Sequence, residues 1–251
     1  MKLLILSDIH SNICALDAIL AREMDADAIY CAGDLTDYGP FPHEVIARFR
    51  ERGIKTVMGN HDRNLLRVWE DIKNGKKPET QEDIRWVHYN CGKMDGEDIA
   101  YLAALPDTLE FIADGCYYRI THQYDRGYGR PQSIFDFDNF IGERPAAAEG
   151  LPTRLILGHS HRQAVCQFRD GRLFLNPGSI SYRRPDDPDK EAHYAVILDG
   201  EITLKAVPYD LAPLQDVVRR LTDTRKMNEK ELAHASFYFG ITATDMAVAG
   251  V

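Results

Sequence analysis

Leu4-Ile5-Leu6-Ser7 runs into Asp8-Ile9-His10, and Leu155-Ile156-Leu157 runs through Gly158 into His159-Ser160-His161. Each apolar run stops at two residues that can bind a metal or move a proton, spaced i, i+2. In an extended chain that spacing places both side chains on one side. Asp34 after Gly33, Asn60 after Gly59 and His122 after Tyr117–Thr121 end other apolar runs in the same way. Asp8, His10, Asp34, Asn60, His122, His159 and His161 together form a set rich in imidazole and carboxylate, with one amide and no thiolate. Such donors suit Mn²⁺, Fe, Co²⁺, Ni²⁺ or Zn²⁺ better than Cu(I) or an iron–sulfur cluster. Seven ligands exceed what one four-coordinate ion needs. They are about right for two ions sharing one bridging carboxylate, with water in the open positions.

The elements that must carry these residues alternate. A buried strand is expected over 2–6, a helix over about 11–22, a strand over 28–31, a helix over 41–52 and a strand over 54–58. Alternation of this kind predicts a layered α/β sheet with right-handed crossovers. Ligands in such sheets sit outside the carboxyl ends of the strands, where Asp8, His10, Asp34, Asn60 and His61 fall. From 64 to about 105 the pattern is mostly helical. Strands follow at 109–112 and 117–121, turning at Asp114-Gly115. Residues 123–150 read as a long irregular connection with one short helix. Further strands are expected at 154–157, 164–168, 172–175, 194–198 and 202–207, and a helix at 211–221. The expected organisation is one domain over 1–207, with cap or substrate insertions within 63–150. A helical extension over 208–251 would pack on the same domain.

Composition narrows the function classes. The chain has 251 residues, 39 acidic against 30 basic, for a formal net charge of −9. That balance disfavours extended nucleic acid and anionic membranes, which need clustered positive charge. It does not forbid a phosphorylated substrate if bound cations offset the field. No apolar run is long enough for a membrane span, and no signal-peptide pattern is read at the start, so a cytoplasmic location is expected. The five cysteines are scattered and lack a C-x-x-C pair, which fits small buried hydrophobes in a reducing compartment.

Ser7-Asp8-Ile9-His10, Gly33-Asp34-Leu35-Thr36-Asp37, Gly59-Asn60-His61-Asp62, Thr121-His122 and Gly158-His159-Ser160-His161 occur in this order. In this the chain resembles the calcineurin-like metallophosphoesterases, closest to their small bacterial and archaeal phosphodiesterase-like members. Asn176-Pro177-Gly178-Ser179 adds to the resemblance, which covers roughly 1–207. It implies a sandwich of two β-sheets flanked by helices, with a dinuclear site at the sheet ends. It further implies that Asp8, His10 and His161 hold one metal, Asn60, His122 and His159 the other, and Asp34 bridges them. His61 would stand beside the site as general acid to the leaving group, oriented by Asp37, with Asp62 a second choice. Two cations so placed would supply hydroxide at neutral pH and hold the phosphoryl oxygens.

Two departures bear on specificity. Tyr38 stands where the superfamily's protein phosphatases place an arginine, and Gln123 follows His122 where glycine is frequent. Arg63, Gln123, Arg126 and Arg130 are the candidate substrate contacts, and Arg183-Arg184 are further cations near the site. The expected activity is hydrolysis of a small phosphodiester or nucleotide-like substrate, with Mn²⁺ the foremost metal. A phosphomonoesterase or protein phosphatase, a dinucleoside polyphosphate hydrolase, and a non-catalytic binding scaffold of the same fold are the alternatives. A homo-oligomer is left open.

Overall fold

A computed structural model describes residues 1–181, 186 and 189–241, so Arg183 and Arg184 lie outside the described residues. Two five-stranded sheets stack face to face. The first has the order β10-β9-β1-β2-β3, from β1 (Lys2–Leu6), β2 (Ala28–Cys31), β3 (Lys55–Thr56), β9 (Ala192–Leu198) and β10 (Glu201–Val207). The second runs β4-β5-β6-β8-β7, from β4 (Thr108–Ala113), β5 (Cys116–Thr121), β6 (Thr153–Ile156), β7 (Gln163–Gln167) and β8 (Leu173–Pro177). β1, β2 and β3 are mutually parallel, as are β5, β6 and β8. Their carboxyl ends therefore come out together along each sheet.

The period of two in β1 decides the layers. Leu3 and Ile5 face the second sheet, packing with Tyr118, Ile120, Ile156 and Leu175. Leu4 and Leu6 face the opposite way, against Leu16 and Ile19 of α1 (Ile13–Arg22) and Val45 and Phe49 of α2 (Pro42–Arg52). Leu65 of α3 (Asn60–Lys73), Val87 of α4 (Trp86–Cys91) and Leu102 of α5 (Gly96–Ala103) join that cluster. Outside the second sheet, Tyr117, Leu155 and Phe174 pack on Phe137 and Ile141 of α6 (Ile134–Ile141). Helix, sheet, sheet and helix thus form four layers, the α/β sandwich that was expected. After β10, α7 (Ala212–Asp223) and α8 (Glu229–Tyr238) bury Leu214, Val218 and Leu232 with Trp86, Tyr38 and Phe41. Among the described residues no helix is long and apolar enough to cross a membrane.

Several boundaries differ from the sequence reading. β3 is only two residues long, and α3 starts at Asn60 rather than near 64. The Asp62 carboxylate takes the Gly59 N–H at 3.0 Å and so stabilises the first turn of α3 there. Asn176 and Pro177 close β8 instead of forming a free turn. The long connection holds a short 3₁₀ turn, Ala146–Ala148, besides its helix.

Glu23, at the end of α1 and 3% exposed, ties this helix to three strands. It accepts from Tyr194 at 2.7 Å and Lys205 at 2.8 Å, and Lys2 lies 2.8 Å away. Burial alone would raise its pKa, but these donors outweigh it and hold the group down at about 2, against 4.5 unperturbed. A depressed carboxylate contributes stability that is present above 4.5 and is lost as pH falls from there to about 2. Glu23→Gln should cost about 2–4 kcal/mol at neutral pH and flatten the decline in stability below pH 4.5, as read from urea midpoints across pH.

Candidate metal centre

Backbone shape at the strand ends is the first surprise. The i, i+2 pairs do not lie in extended chain: Asp8, His10, His159 and His161 have φ of 53°, 47°, 64° and 59°, and Asp34 and Asp37 have 57° and 75°. Residues with a Cβ seldom adopt this left-handed region, and such outliers gather at functional sites. Each chain bends sharply after its strand, so alternation of a pleat is not what aims these side chains. The bends are held by hydrogen bonds between loops, Asp8 N to Gly33 O at 2.9 Å and Ile9 N to Asp34 O at 2.8 Å among them.

The bends gather the seven candidate ligands into two groups. In one, His161 Nε2 stands 3.2 Å from Asp8 Oδ1, and His10 Nε2 stands 3.3 Å from His161 Nε2. In the other, His122 Nε2 lies 3.0 Å from Asp34 Oδ2 and 2.9 Å from Asn60 Oδ1. His159 completes the second group, its ring centroid 5.3 Å from that of His122. Asp8, His10 and Asp34 are fully buried.

The nitrogen tautomers reveal what converges. His10 Nδ1 meets the Thr36 carbonyl at 3.1 Å, and His122 Nδ1 meets the Ala32 carbonyl at 2.7 Å. A carbonyl only accepts, so both Nδ1 atoms carry hydrogen and both rings turn Nε2 to the centre, as a lone pair whenever the ring is neutral. Asp34 Oδ2 is buried and receives no hydrogen bond, while its Oδ1 accepts from His61 N at 2.8 Å. Acceptors thus face acceptors at two points, with an orphaned carboxylate oxygen at one of them. A divalent cation at each point would satisfy every one of these atoms, and imidazole, carboxylate and amide are fitting donors for a first-row metal.

Electrostatics in the protein alone shows the same deficit of positive charge. Burial would lower His122, yet Asp34 and Asp8 outweigh it and raise the ring to about 9. Burial and the neighbouring His161 and His61 push His10 down to about 3, and burial with His122 lowers His159. Burial would raise Asp8 and Asp34, but the histidines beside them hold both below the usual carboxylate range.

His61 stands apart, in the first turn of α3. Its Nδ1 meets Asp37 Oδ2 at 2.7 Å, and the imidazole ring lies 5.1 Å from that of His10. Burial would lower its pKa, but the hydrogen bond to Asp37 and the charges of Asp34, Asp37 and Asp62 raise it to about 9. Tyr38 packs against both rings, 4.7 Å from His61 and 5.0 Å from His10.

Four buried residues hold these loops: Asn90, which sequence reasoning missed, Asp62, its second choice for orienting His61, and Asn176 and Ser179, expected to support the site. Asp62 does not orient His61; it accepts from the N–H groups of Leu35, Thr36 and Gly59 and from the Thr36 hydroxyl at 3.0–3.1 Å. Asn90 of α4 accepts from Asp37 N at 2.8 Å and Ser11 Oγ at 2.6 Å, and donates to Gly39 O at 2.8 Å. Asn176 donates to Gly158 O at 2.7 Å, and Ser179 Oγ donates to Asp8 O at 2.9 Å. The Asn-Pro-Gly-Ser stretch therefore supports both histidine-bearing and aspartate-bearing bends. That support was expected of Asn-Pro-Gly-Ser, whereas nothing in the sequence marked Asn90.

Two clefts flank the centre. One, of about 480 Å³ beside His159, is lined by Gln123, Tyr128, Arg130, Ser160 and Arg162 among others. The other, of about 640 Å³, opens beside His61 and Asp37 and carries mixed charges. Of the candidate substrate contacts, Gln123 and Arg130 come together in the first cleft. Arg126 is exposed and lines neither cleft. Arg63 also lines neither, because its guanidinium is held by Asp107 on the surface.

Residues 1–199 match the family model of the calcineurin-like phosphoesterase superfamily domain. The chain belongs to this superfamily. As a calcineurin-like phosphoesterase it is a hydrolase of phosphate-ester bonds. An uncharacterized protein of Methanocaldococcus jannaschii is 25% identical over 230 residues, 82% of this chain and 87% of that one. A symmetrical bis(5′-nucleosyl)-tetraphosphatase of Pectobacterium atrosepticum is 30% identical over 119 residues, 41% of this chain and 42% of the relative. The match thus spans less than half of that tetraphosphatase. The crystal structure of a metallophosphoesterase from Sphaerobacter thermophilus superposes with a TM-score of 0.68 at 22% identity, covering 95% of this chain and all of the other. That likeness is one of fold.

Close approach makes one glycine of this phosphoesterase irreplaceable. A Cβ on Gly59 would stand 2.0 Å from Asp34 Oδ1 and 2.3 Å from Asp34 N. Gly59→Ala must displace the loop that carries Asp34, and should cost about 2 kcal/mol or more in urea unfolding. Gly96→Ala, where a Cβ meets nothing within 4 Å, serves as the neutral comparison.

Proposed function

We propose that the protein is a dinuclear metal-dependent phosphoesterase acting on a small phosphodiester or nucleotide-like substrate. The observation that carries this reading is the convergence of ligand atoms in two neighbouring buried groups, one of them at the orphaned Asp34 Oδ2. Asp8, His10 and His161 would hold one divalent cation and Asn60, His122 and His159 the other, with Asp34 shared between them. When bound, the cations, Mn²⁺ foremost and Fe, Zn²⁺, Ni²⁺ or Co²⁺ as alternatives, would provide hydroxide near neutral pH and offset phosphoryl charge.

The chain's own groups do the rest. His61 donates its Nδ1 hydrogen to Asp37, which fixes the ring. Its Nε2, protonated through the charge of the surrounding carboxylates, can give a hydrogen to the departing oxygen. Tyr38 beside it favours a diester. Burial and Asp37 push the phenol well above its ordinary pKa, so it stays neutral. A neutral phenol cannot match the second negative charge of a monoester dianion as an arginine would.

The tetraphosphatase relatives favour a second reading, hydrolysis of a dinucleoside polyphosphate. Metal analysis together with turnover of bis-p-nitrophenyl phosphate and p-nitrophenyl phosphate, with and without Mn²⁺, separates them. About two metals per chain and Mn²⁺-dependent release from the diester are expected. Metal without turnover of either ester would favour the dinucleoside polyphosphate reading, and failure to take up metal would sink the dinuclear centre. Asp34→Asn should lower the content of both metals. His61→Ala should keep the metals and lower kcat about 10²–10⁴-fold for esters with poor leaving groups. The loss should be smaller for p-nitrophenolate, which departs without needing a proton. Loss of metal in His61→Ala would refute its assigned role.

A further inference from the structure

The cleft beside His61 is built in part by residues beyond the superfamily domain. That domain spans residues 1–199, whereas Glu231 of α8 lines the cleft together with His61, Asp37 and Tyr38. Two sets of contacts fix α8 there. Leu232, the next residue, is buried and packs in the cluster of Trp86, Leu214 and Val218. At the start of the helix, Asn228 N donates to Ile84 O at 2.9 Å, and the Asn228 side-chain amide donates to Glu82 O at 2.7 Å. Gln81 in turn donates to Met227 O at 3.0 Å. The extension is thus fastened to the stretch 81–85, from which Asp83 and Arg85 line the same cleft.

At about 640 Å³ this cleft has the size of a small-molecule pocket. Of its five carboxylates, Asp37 is taken by His61 at 2.7 Å, and the other four are matched by four Lys and Arg side chains. Asp71 holds Arg67 and Lys76, each at 3.0 Å. Glu79, Glu231, Lys77 and Arg85 make no ion pair among the described residues. Burial and the charge of Asp37 outweigh Arg85, His234 and the Trp86 N–H, and raise the Glu231 carboxyl above its ordinary range. Glu231 is therefore an acceptor short of donors. Charges so balanced give neither an anion nor a cation a net field. They do set donors beside acceptors, which a group with several hydroxyls meets at once. Among the described residues no Phe or Trp lines the cleft, and Tyr38 is packed against His61 and His10, which disfavours a stacked nucleobase there.

We propose that the alcohol released through the cleft beside His61 is an uncharged polyol, glycerol-like or sugar-like, and that Glu231 selects it by accepting its hydroxyl hydrogens. This rests on the hydrolase reading, in which His61 marks the leaving-group side. Lys77 and Arg85 can donate to hydroxyl oxygens of the same group. Water's oxygen joins phosphorus and the P–O bond to the polyol breaks. The polyol alkoxide takes the His61 proton. Of water's two protons, one restores His61 and the other passes to solvent. A phosphate monoester of the retained half is the second product. An extension outside the superfamily domain thereby sets the specificity of a site that the domain builds.

Methyl phosphodiesters of glycerol, n-propanol, choline and glyceric acid, offered to the Mn²⁺-loaded enzyme and followed by phosphorus NMR, test the cleft. The glyceryl ester should exceed the propyl ester about tenfold in kcat/KM, releasing glycerol and leaving methyl phosphate. Glu231→Leu should erase that preference, and Glu231→Gln, which keeps an acceptor, should retain most of it. Lys230→Gln, on the exposed face of α8, should change neither rate. Calorimetry with the same esters reads binding where no turnover occurs. Equal rates for the glyceryl and propyl esters, preference for the choline or glycerate ester, or release of methanol in place of glycerol would overturn the proposal. So would a glyceryl preference that survives Glu231→Leu. Turnover of bis-p-nitrophenyl phosphate with no glyceryl preference overturns it and leaves the hydrolase reading intact. Tighter binding of the glyceryl ester, lost in Glu231→Leu, without turnover of any ester supports the cleft and refutes the hydrolase reading instead.

Discussion

Two fully buried carboxylates, Asp8 and Asp34, impose the constraint that organises this protein. A carboxylate taken out of water costs several kcal/mol unless donors or cations surround it. Asp8 receives the Ser7 hydroxyl at 2.6 Å and His159 N at 3.1 Å. Asp34 receives one N–H from the first turn of α3, where the helix dipole also favours negative charge. Those donors do not exhaust the oxygens, and the remainder point at imidazole lone pairs. Bending the chain so that these groups meet puts Asp8, His10, Asp34, Asp37, Tyr38, His159 and His161 in the left-handed region. At roughly 1–3 kcal/mol for each such residue, that geometry must be held by the packed sheets and by the loop-to-loop hydrogen bonds.

The strain is tolerable because each bend is satisfied by buried amides and carboxylates from elsewhere in the chain. Asp62 reaches the loop after β2, Asn90 joins that loop to the one after β1, and Asn176 secures the loop after β6. None of them faces the centre as a ligand. They answer the requirement that buried backbone groups find partners where regular pairing has ended. Removal of any one would release a bend that local propensity opposes.

This division explains what could be read from the sequence and what could not. Period-two apolar runs and the Asp-Gly and Gly-Asp turns marked most strands, because each β1-type strand has one face on each packed layer. The candidate ligands could be picked out because carboxylate, amide and imidazole recur at the ends of those runs. The means of convergence was not: spacing of i, i+2 suggested a pleat, whereas the actual aim comes from left-handed bends set by long-range bonds. Asn60 read as a strand end although it opens α3, since the helix start depends on Asp62 two residues later turning back to Gly59. Arg63 and Arg130 were indistinguishable as arginines near motifs. Tertiary placement alone gives the first to Asp107 and the second to a cleft.

The origin of the ligands also ties stability to metal. Asp8, His10, Asp34 and Asn60 follow strands of the first sheet, and His122, His159 and His161 follow strands of the second. Each of the two groups draws on both sheets. A cation held by either group would therefore clamp the open end of the sandwich, where apolar packing between the sheets gives way to polar side chains. The unfolded chain cannot gather ligands so distant in sequence, so a cation prefers the folded state and stabilises it by mass action. The same cation would relieve the mutual repulsion of Asp8 and Asp34 and give the converging ligand atoms a partner. Folding energy and catalytic readiness would then draw on one set of contacts.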